Sequence, residues 1–462
     1  MANTRAQSSS RRGRGLPRGP QALPREQVAA HQRNRLFAAM VQAVNEQGFV
    51  ATTISDLVAR AGISRRSFYE HFDNKDECLL ATYDEIVERL NRRLINAYSA
   101  VDEWPEQIEA FARALFEATA DRPDAARLVC VEMGGAGAAG VERWYQGTEQ
   151  LGSFISAGFE QSPGPGTVPD PVAKAFVGSL RKILYSRVQR GLSGKALRKE
   201  LVKLAPELRE WITMYYPSPP ELPLRPQPKR FKPMAGGRAP GTLSPLSPSG
   251  ARGLPRGEHN LPRGFVAHNQ RERIFDAIAN LTASKGYTSL CLEDIVAEAA
   301  VSLQTFYAHF QNKEEAFLAT YEVGHARAVA VVSQAALSQT SLTEGVRVGV
   351  IALLEFLASE PSYAHIACVD ILIAYPHMAG RVDEANSFYS ELLGVGLVNV
   401  PSERLPPPVV GEAIVGGVFE LLHDYILRGL THRLPELADH ITYIALTPFV
   451  GKRVAMKTIS RK

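Results

Sequence analysis

The chain has 462 residues, 45% of them hydrophobic and 22% charged, with a formal net charge of +4 at pH 7. That length exceeds one ordinary domain core, and no apolar run reaches the roughly 20 residues that a membrane-spanning helix needs. Cys78, Cys130, Cys291 and Cys368 are far apart in sequence, which argues against a zinc ribbon or a disulfide framework and fits a reduced, cytoplasmic setting.

Residues 1–22 form a basic arm whose charge points to a polyanionic partner. No apolar stretch follows it, so it does not read as a secretory leader. Arg14 and Arg18 flank Gly15-Leu16-Pro17, an extended and narrow segment suited to a minor groove or to plain phosphate attraction. From residue 26 to 46 the apolar positions Leu36, Met40, Val41 and Val44 follow helical spacing, and Gly48 supplies a stop. Thr53 then caps a short helix with Ile54, Leu57 and Val58 inward. Gly62 gives a tight turn, and Ser64 caps a second short helix running to about His71. Two short helices joined by such a turn form a helix-turn-helix pattern, placed here in a domain over residues 23–75.

Asn74 caps a long helix with Lys75 in its first turn. A cation is disfavoured at that positive helix end, so Lys75 makes sense if a phosphate docks there. Residues 76–216 read as several amphipathic helices, closing with a pair over 170–191 and 196–215. Six prolines between 217 and 228 then block regular structure, and residues 217–260 read as a linker that ends in a second basic arm.

Beyond the linker the chain repeats itself at a constant offset of 238 residues. Gly15-Leu16-Pro17-Arg18-Gly19 recurs as Gly253-Leu254-Pro255-Arg256-Gly257, so Arg252 and Arg256 match Arg14 and Arg18. Ser67-Phe68-Tyr69 and His71-Phe72 recur as Thr305-Phe306-Tyr307 and His309-Phe310, and Asn74-Lys75 as Asn312-Lys313. The copy places a second helix-turn-helix domain at 261–313, a second helical domain at 314–453 and a basic tail at 454–462. Its closing helix pair falls at 408–428 and 433–449. The expected fold is therefore all-α, two like units in one chain.

The run from Thr52 to Lys75, with Ala61-Gly62-Ile63-Ser64, Phe68-Tyr69, His71-Phe72 and Asn74-Lys75, resembles the DNA-binding domain of TetR-family regulators, as does Ala299 to Lys313. The resemblance covers about 50 residues of each copy. It implies a three-helix DNA-binding domain followed by a helical domain that binds an effector and dimerises. It also implies that Arg65, Arg66 and Ser67 reach base edges, while Thr52 or Thr53, Ser64, Tyr69, His71 and Lys75 touch phosphates. In the second copy the base readers become Leu303, Gln304 and Thr305, and the phosphate contacts Ser302, Tyr307, His309 and Lys313. Leu290 and Cys291 replace Thr52 and Thr53 there. Two unlike half-sites of double-stranded DNA are expected, or else a second copy that only dimerises.

The two closing helix pairs suggest an intrachain pseudo-dimer, with a dimer of chains as the competing assembly. Effector-pocket candidates are Trp104, Phe111, Phe116, Trp144 and Tyr145 in the first copy, and Tyr363, His365 and Tyr375 in the second. Glu132 and Asp370, at matching positions, read as polar anchors in a pocket or as surface carboxylates. No nucleophile elbow, phosphate loop, dinucleotide fingerprint or zincin motif is present, so no catalytic residue, metal or cofactor is assigned. The expected role is a cytoplasmic, nucleoid-associated, ligand-responsive repressor. The alternative is a helical scaffold in which only the first copy binds DNA.

Overall fold

The computed structural model describes residues 24–160, 170–191, 194–215, 263–374, 389, 393 and 406–460. The two arms, the linker and Tyr375 lie outside the described residues. Helices make up the described fold, with no strand among those residues, and none is long and apolar enough to cross a membrane.

The first helix-turn-helix domain comprises α1 (Arg25–Gln47), α2 (Ile54–Ala61) and α3 (Arg65–Tyr69). Its core is Leu36, Met40, Val44, Leu57, Phe68 and Phe72, the apolar stripes that each helix turns inward. Caps fix the ends. Thr53 and Asp56 form a reciprocal capping box at α2, and Ser64 Oγ accepts from Ser67 N (3.0 Å) at α3. Gly62 turns the chain in a left-handed conformation (φ 59°) between α2 and α3. In the second copy that left-handed position is held by Ala300 (φ 47°), the single non-glycine with positive φ among the described residues.

Helices α4 (Lys75–Tyr98) and α5 (Trp104–Asp121) follow, then α6 (Pro123–Arg127), a π-helical turn at Leu128–Glu132 and a 3₁₀ turn at Met133–Ala136. The unit continues with α7 (Gly137–Glu160), α8 (Asp170–Gln189), α9 (Gly194–Val202) and α10 (Leu204–Thr213). The second unit repeats the order: α11 (Arg263–Lys285), a 3₁₀ turn Tyr287–Ser289, α12 (Leu292–Glu298), α13 (Leu303–Tyr307), α14 (Lys313–Leu337), α15 (Leu342–Ser359) and α16 (Pro361–His365). A second π-helical turn, Ile366–Asp370, lies 238 residues after the first. It leads to α17 (Ile371–Ala374), then α18 (Val410–Leu427), a 3₁₀ stretch Thr431–Leu437 and α19 (Ala438–Ile459).

The two units pack on each other chiefly through α8 against α18. Gly178 and Gly416 occupy the same position of the two copies, and a Cβ on Gly178 would lie 2.7 Å from the Gly416 carbonyl oxygen. Each closing pair behaves differently from the simple helix pair that the sequence suggests. The segment after α8 breaks into α9 and α10, and both rest on α5 of their own unit, where Leu197, Leu201, Leu204 and Leu208 are buried. α19 likewise packs on α15. The closing segments still meet across the units, because Tyr215 Oη donates to the Ile444 carbonyl (2.8 Å) beside Tyr443.

Candidate nucleic-acid interface

Each helix-turn-helix domain exposes one face of its second short helix. Arg65, Arg66 and Tyr69 project into solvent from α3, and Arg66 is 91% exposed and forms a surface ion pair with Glu70 (3.3 Å). Arg65 bonds Ser55 Oγ (2.9 Å) on α2. Ser67 is half-buried and serves the α3 cap. On α13, Leu303, Gln304 and Tyr307 are exposed, and Thr305 plays the part of Ser67 against Ser302. Tyr69 and Tyr307 are 55% and 57% exposed, with their rings edge-on to buried Phe68 and Phe306. The two faces thus share a pose and differ at their tips: two guanidiniums in one, an apolar side chain and an amide in the other.

Several of the expected phosphate contacts have their polar groups engaged within the protein. Thr52 is 1% exposed, and its hydroxyl donates to the Gly48 carbonyl (2.8 Å), so no phosphate reaches it. Thr53 is the exposed neighbour, although its hydroxyl is engaged with Asp56 (2.7 Å). Lys75 directs its ammonium inward to the carbonyls of Phe49, Val50 and Thr52 (3.2, 3.1 and 3.1 Å), 4.6 Å above the Phe49 ring. Its donors are spent on the loop before α2. The equivalent Lys313 donates to the Leu290 carbonyl (2.8 Å) and lies over the Tyr287 ring.

The two histidines, also expected at phosphates, each bond a glutamine of the first helix of their domain. His71 Nε2 donates to Gln32 Oε1 (2.9 Å), and His309 Nε2 to Gln270 Oε1 (3.1 Å). Burial, with Arg33 and Arg271 close by, holds both imidazoles below the usual histidine range, so they are neutral near pH 7. Sequence reasoning overlooked Gln32 and Gln270, whose signal was their match at the repeat offset. It also overlooked Arg35, which donates to the Gly62 carbonyl (3.3 Å) and braces the turn of the motif.

Each helical domain holds a cavity. In the first copy it measures about 430 Å³ and is bounded by α1, α4, α5, α7 and α8, with Phe37, Tyr83, Leu115, Trp144 and Arg181 in its wall. In the second it measures about 550 Å³, with Tyr321, His325, Leu353, Tyr363 and Phe419. Both sizes suit a small ligand. The substitution of Phe419 for Arg181 at one position makes the second cavity the more apolar. Asn34, Phe37, Ala38 and Val41 of α1 line the first cavity, whereas no α11 residue lines the second.

Of the pocket candidates, Trp144 and Tyr363 lie in these walls. Trp104, Phe111 and Phe116 are buried core residues outside them. Tyr145 instead stacks on His423 of the other unit, with ring centroids 3.7 Å apart. Glu132 and Asp370 are neither pocket anchors nor surface carboxylates. Glu132 is 2% exposed, accepts from Phe49 N (3.0 Å) and pairs with Arg127 (3.0 Å). Asp370 repeats this, accepting from Tyr287 N (3.1 Å) and pairing with His365 (2.5 Å). Each carboxylate therefore ties the π-helical turn of the larger helical domain to the chain just after the first helix of its helix-turn-helix domain. Burial pushes the Cys130 and Cys368 thiols of the same turns up to about 12, so both stay protonated.

Comparison with known proteins adds to this geometry. The model for bacterial regulatory proteins of the tetR family matches twice, at residues 36–82 and 274–320. The chain is 26% identical over 102 residues to the HTH-type transcriptional regulator BetI of Rhizobium meliloti, covering 22% of this chain and 50% of that protein. It is 26% identical over 117 residues to the HTH-type transcriptional activator FasR of Mycolicibacterium smegmatis, covering 25% and 52%. The chain thus spans about half the length of these curated relatives. A solved structure of the fatty acid degradation regulator FadR from Bacillus halodurans aligns at 19% identity over 38% of this chain and 94% of that one, with a TM-score of 0.36.

Proposed function

We propose that the chain, which matches the model of bacterial regulatory proteins of the tetR family at two segments, is a tandem TetR-family regulator: one chain binds one asymmetric operator with two unlike reading heads, and releases it when a small molecule fills a helical-domain cavity. The observation that carries this reading is the pair of exposed faces on α3 and α13, alike in pose and unlike at the tips. Arg65 and Arg66 suit guanine O6 and N7, Gln304 suits adenine, and Leu303 suits a thymine methyl. Tyr69 and Tyr307, with the exposed caps Ser64 and Ser302, set the docking on phosphates. Arg14, Arg18, Arg252 and Arg256 add contacts from the arms.

Release follows from the position of the first cavity. Its wall includes α1, so a ligand there shifts the helix that carries the reading head. In the second copy, Asp370 and the Arg327–Glu272 ion pair join the effector domain to the head. Repression is the proposed sign of regulation, read directly from transcription of a promoter bearing the operator.

Footprinting on DNA upstream of the coding region, at several salt concentrations, tests the proposal. Arg65→Ala with Arg66→Ala should erase base preference in one half-site and spare the other, at about 1–3 kcal/mol per lost bidentate contact. Equal weakening of both halves, or none, rejects the assignment of heads to half-sites.

A further inference from the structure

The interface between the units is built from opposite charges that differ between the copies. On α8 the facing residues are Lys174, Arg181, Lys182 and Arg187; on α18 they are Glu412, Glu420 and Asp424. Arg181 pairs with Glu420 and Arg187 with Glu412, and Lys174 meets Asp424 at 2.9 Å. The Arg181–Glu420 pair is deeply buried, its side chains 10% and 8% exposed. Its guanidinium also stacks on Trp144 and Tyr145.

At the repeat offset Lys174 corresponds to Glu412 and Lys182 to Glu420, so two positions carry reversed charge. Ser186 corresponds to Asp424, Arg181 to Phe419 and Arg187 to Tyr425. The backbone crossing itself is symmetric, since Gly178 meets Gly416 at matching positions. Nothing in the backbone therefore prevents two first copies, or two second copies, from crossing in the same way.

The side chains do prevent it. If two first copies crossed there, Arg181 would face the other Lys182, and Arg187 the other Lys174, each twice. If two second copies crossed, Glu412 would face the other Asp424, and Glu420 would be buried against Phe419. Like charges, or a lone carboxylate, in a desolvated interface are strongly disfavoured. Charges that reject the wrong partner set specificity more than affinity.

We propose that α8 and α18 form a heterotypic lock: the basic face of the first copy accepts only the acidic face of a second copy, which excludes pairing of like copies between chains and makes a single chain the closed unit. This concerns assembly and stands apart from the DNA and effector assignments.

Two full-length variants test it by sedimentation velocity and small-angle scattering. In the all-basic chain, Glu412→Lys, Glu420→Lys and Asp424→Lys make both faces positive. In the all-acidic chain, Lys174→Glu, Arg181→Glu, Lys182→Glu and Arg187→Glu make both negative. Wild type is expected to sediment as one 50.5 kDa chain. Each variant alone should expand as its units part, and neither should self-associate. An equimolar mixture should form a two-chain complex of twice the single-chain mass. A third chain carrying both sets of changes exchanges the charges and should regain wild-type compactness, which separates loss of pairing from failure to fold. Either variant staying as compact as wild type, a variant pairing with itself, or a mixture that does not associate would each overturn the proposal, as would a third chain that stays expanded.

Discussion

A lysine in the first turn of a helix meets the positive end of the helix dipole, and Lys75 offsets that cost by capping three loop carbonyls and lying on Phe49. From sequence the same residue reads as a phosphate contact, because residue type and spacing do not tell which way a four-carbon stem turns. Two roles separate in experiment. Lys75→Ala should lower the stability of the first reading head by about 1–3 kcal/mol, seen as an earlier urea midpoint. The salt dependence of DNA affinity should keep its slope, because no counterion-displacing contact is lost. A shallower slope with unchanged stability would restore the phosphate role. Thr52 teaches the same lesson: its hydroxyl is satisfied inside the head at Gly48, while Thr53 beside it caps α2 at the surface.

Among elements, the π-helical turns carry the most information. Both lie just after a short proline-led helix, and both bring a carboxylate against a backbone N–H of the reading head. Glu132→Ala would leave the Phe49 N–H and the Arg127 guanidinium without their shared partner. The expected loss is about 2–4 kcal/mol, because the carboxylate is buried although Arg127 is partly solvated. Thermal unfolding of the full chain measures it. A variant as stable as wild type would mean that the head is held by apolar packing alone. The sequence marks Glu132 and Asp370 as equivalent, but the backbone N–H groups they hold lie 83 residues away and belong to the domain before them.

On the scale of the whole molecule, the contact between units includes a titratable group. His423 stacks on Tyr145 and donates from Nδ1 to the Cys368 carbonyl (2.6 Å). Burial lowers its pKa to about 3, against an ordinary value of 6.5. The unfolded chain therefore takes up a proton before the folded one does. The contribution of neutral His423 to stability is complete above pH 6.5 and is lost progressively as pH falls from there toward 3, with a slope of at most about 1.4 kcal/mol per pH unit. His71 and His309 bend stability in the same direction, so the wild-type chain is compared with His423→Gln. The variant should show a flatter dependence of the urea midpoint between pH 7.5 and 5. Identical dependence in both chains would remove His423 as a contributor.

The sequence by itself determined the helical class, the duplication, the helix-turn-helix motif in each copy and the resemblance to TetR-family regulators, because caps, turn glycines and apolar periodicity are local properties that a 238-residue offset displays twice. The tertiary structure decided where the polar side chains go. It turned Lys75 inward, drew Tyr145 onto His423, placed Trp144 and Tyr363 in cavity walls and set the cations of α8 against the carboxylates of α18. A polar group takes the partner that burial leaves within reach, and that partner is fixed by how distant helices cross rather than by the residues beside it in the chain.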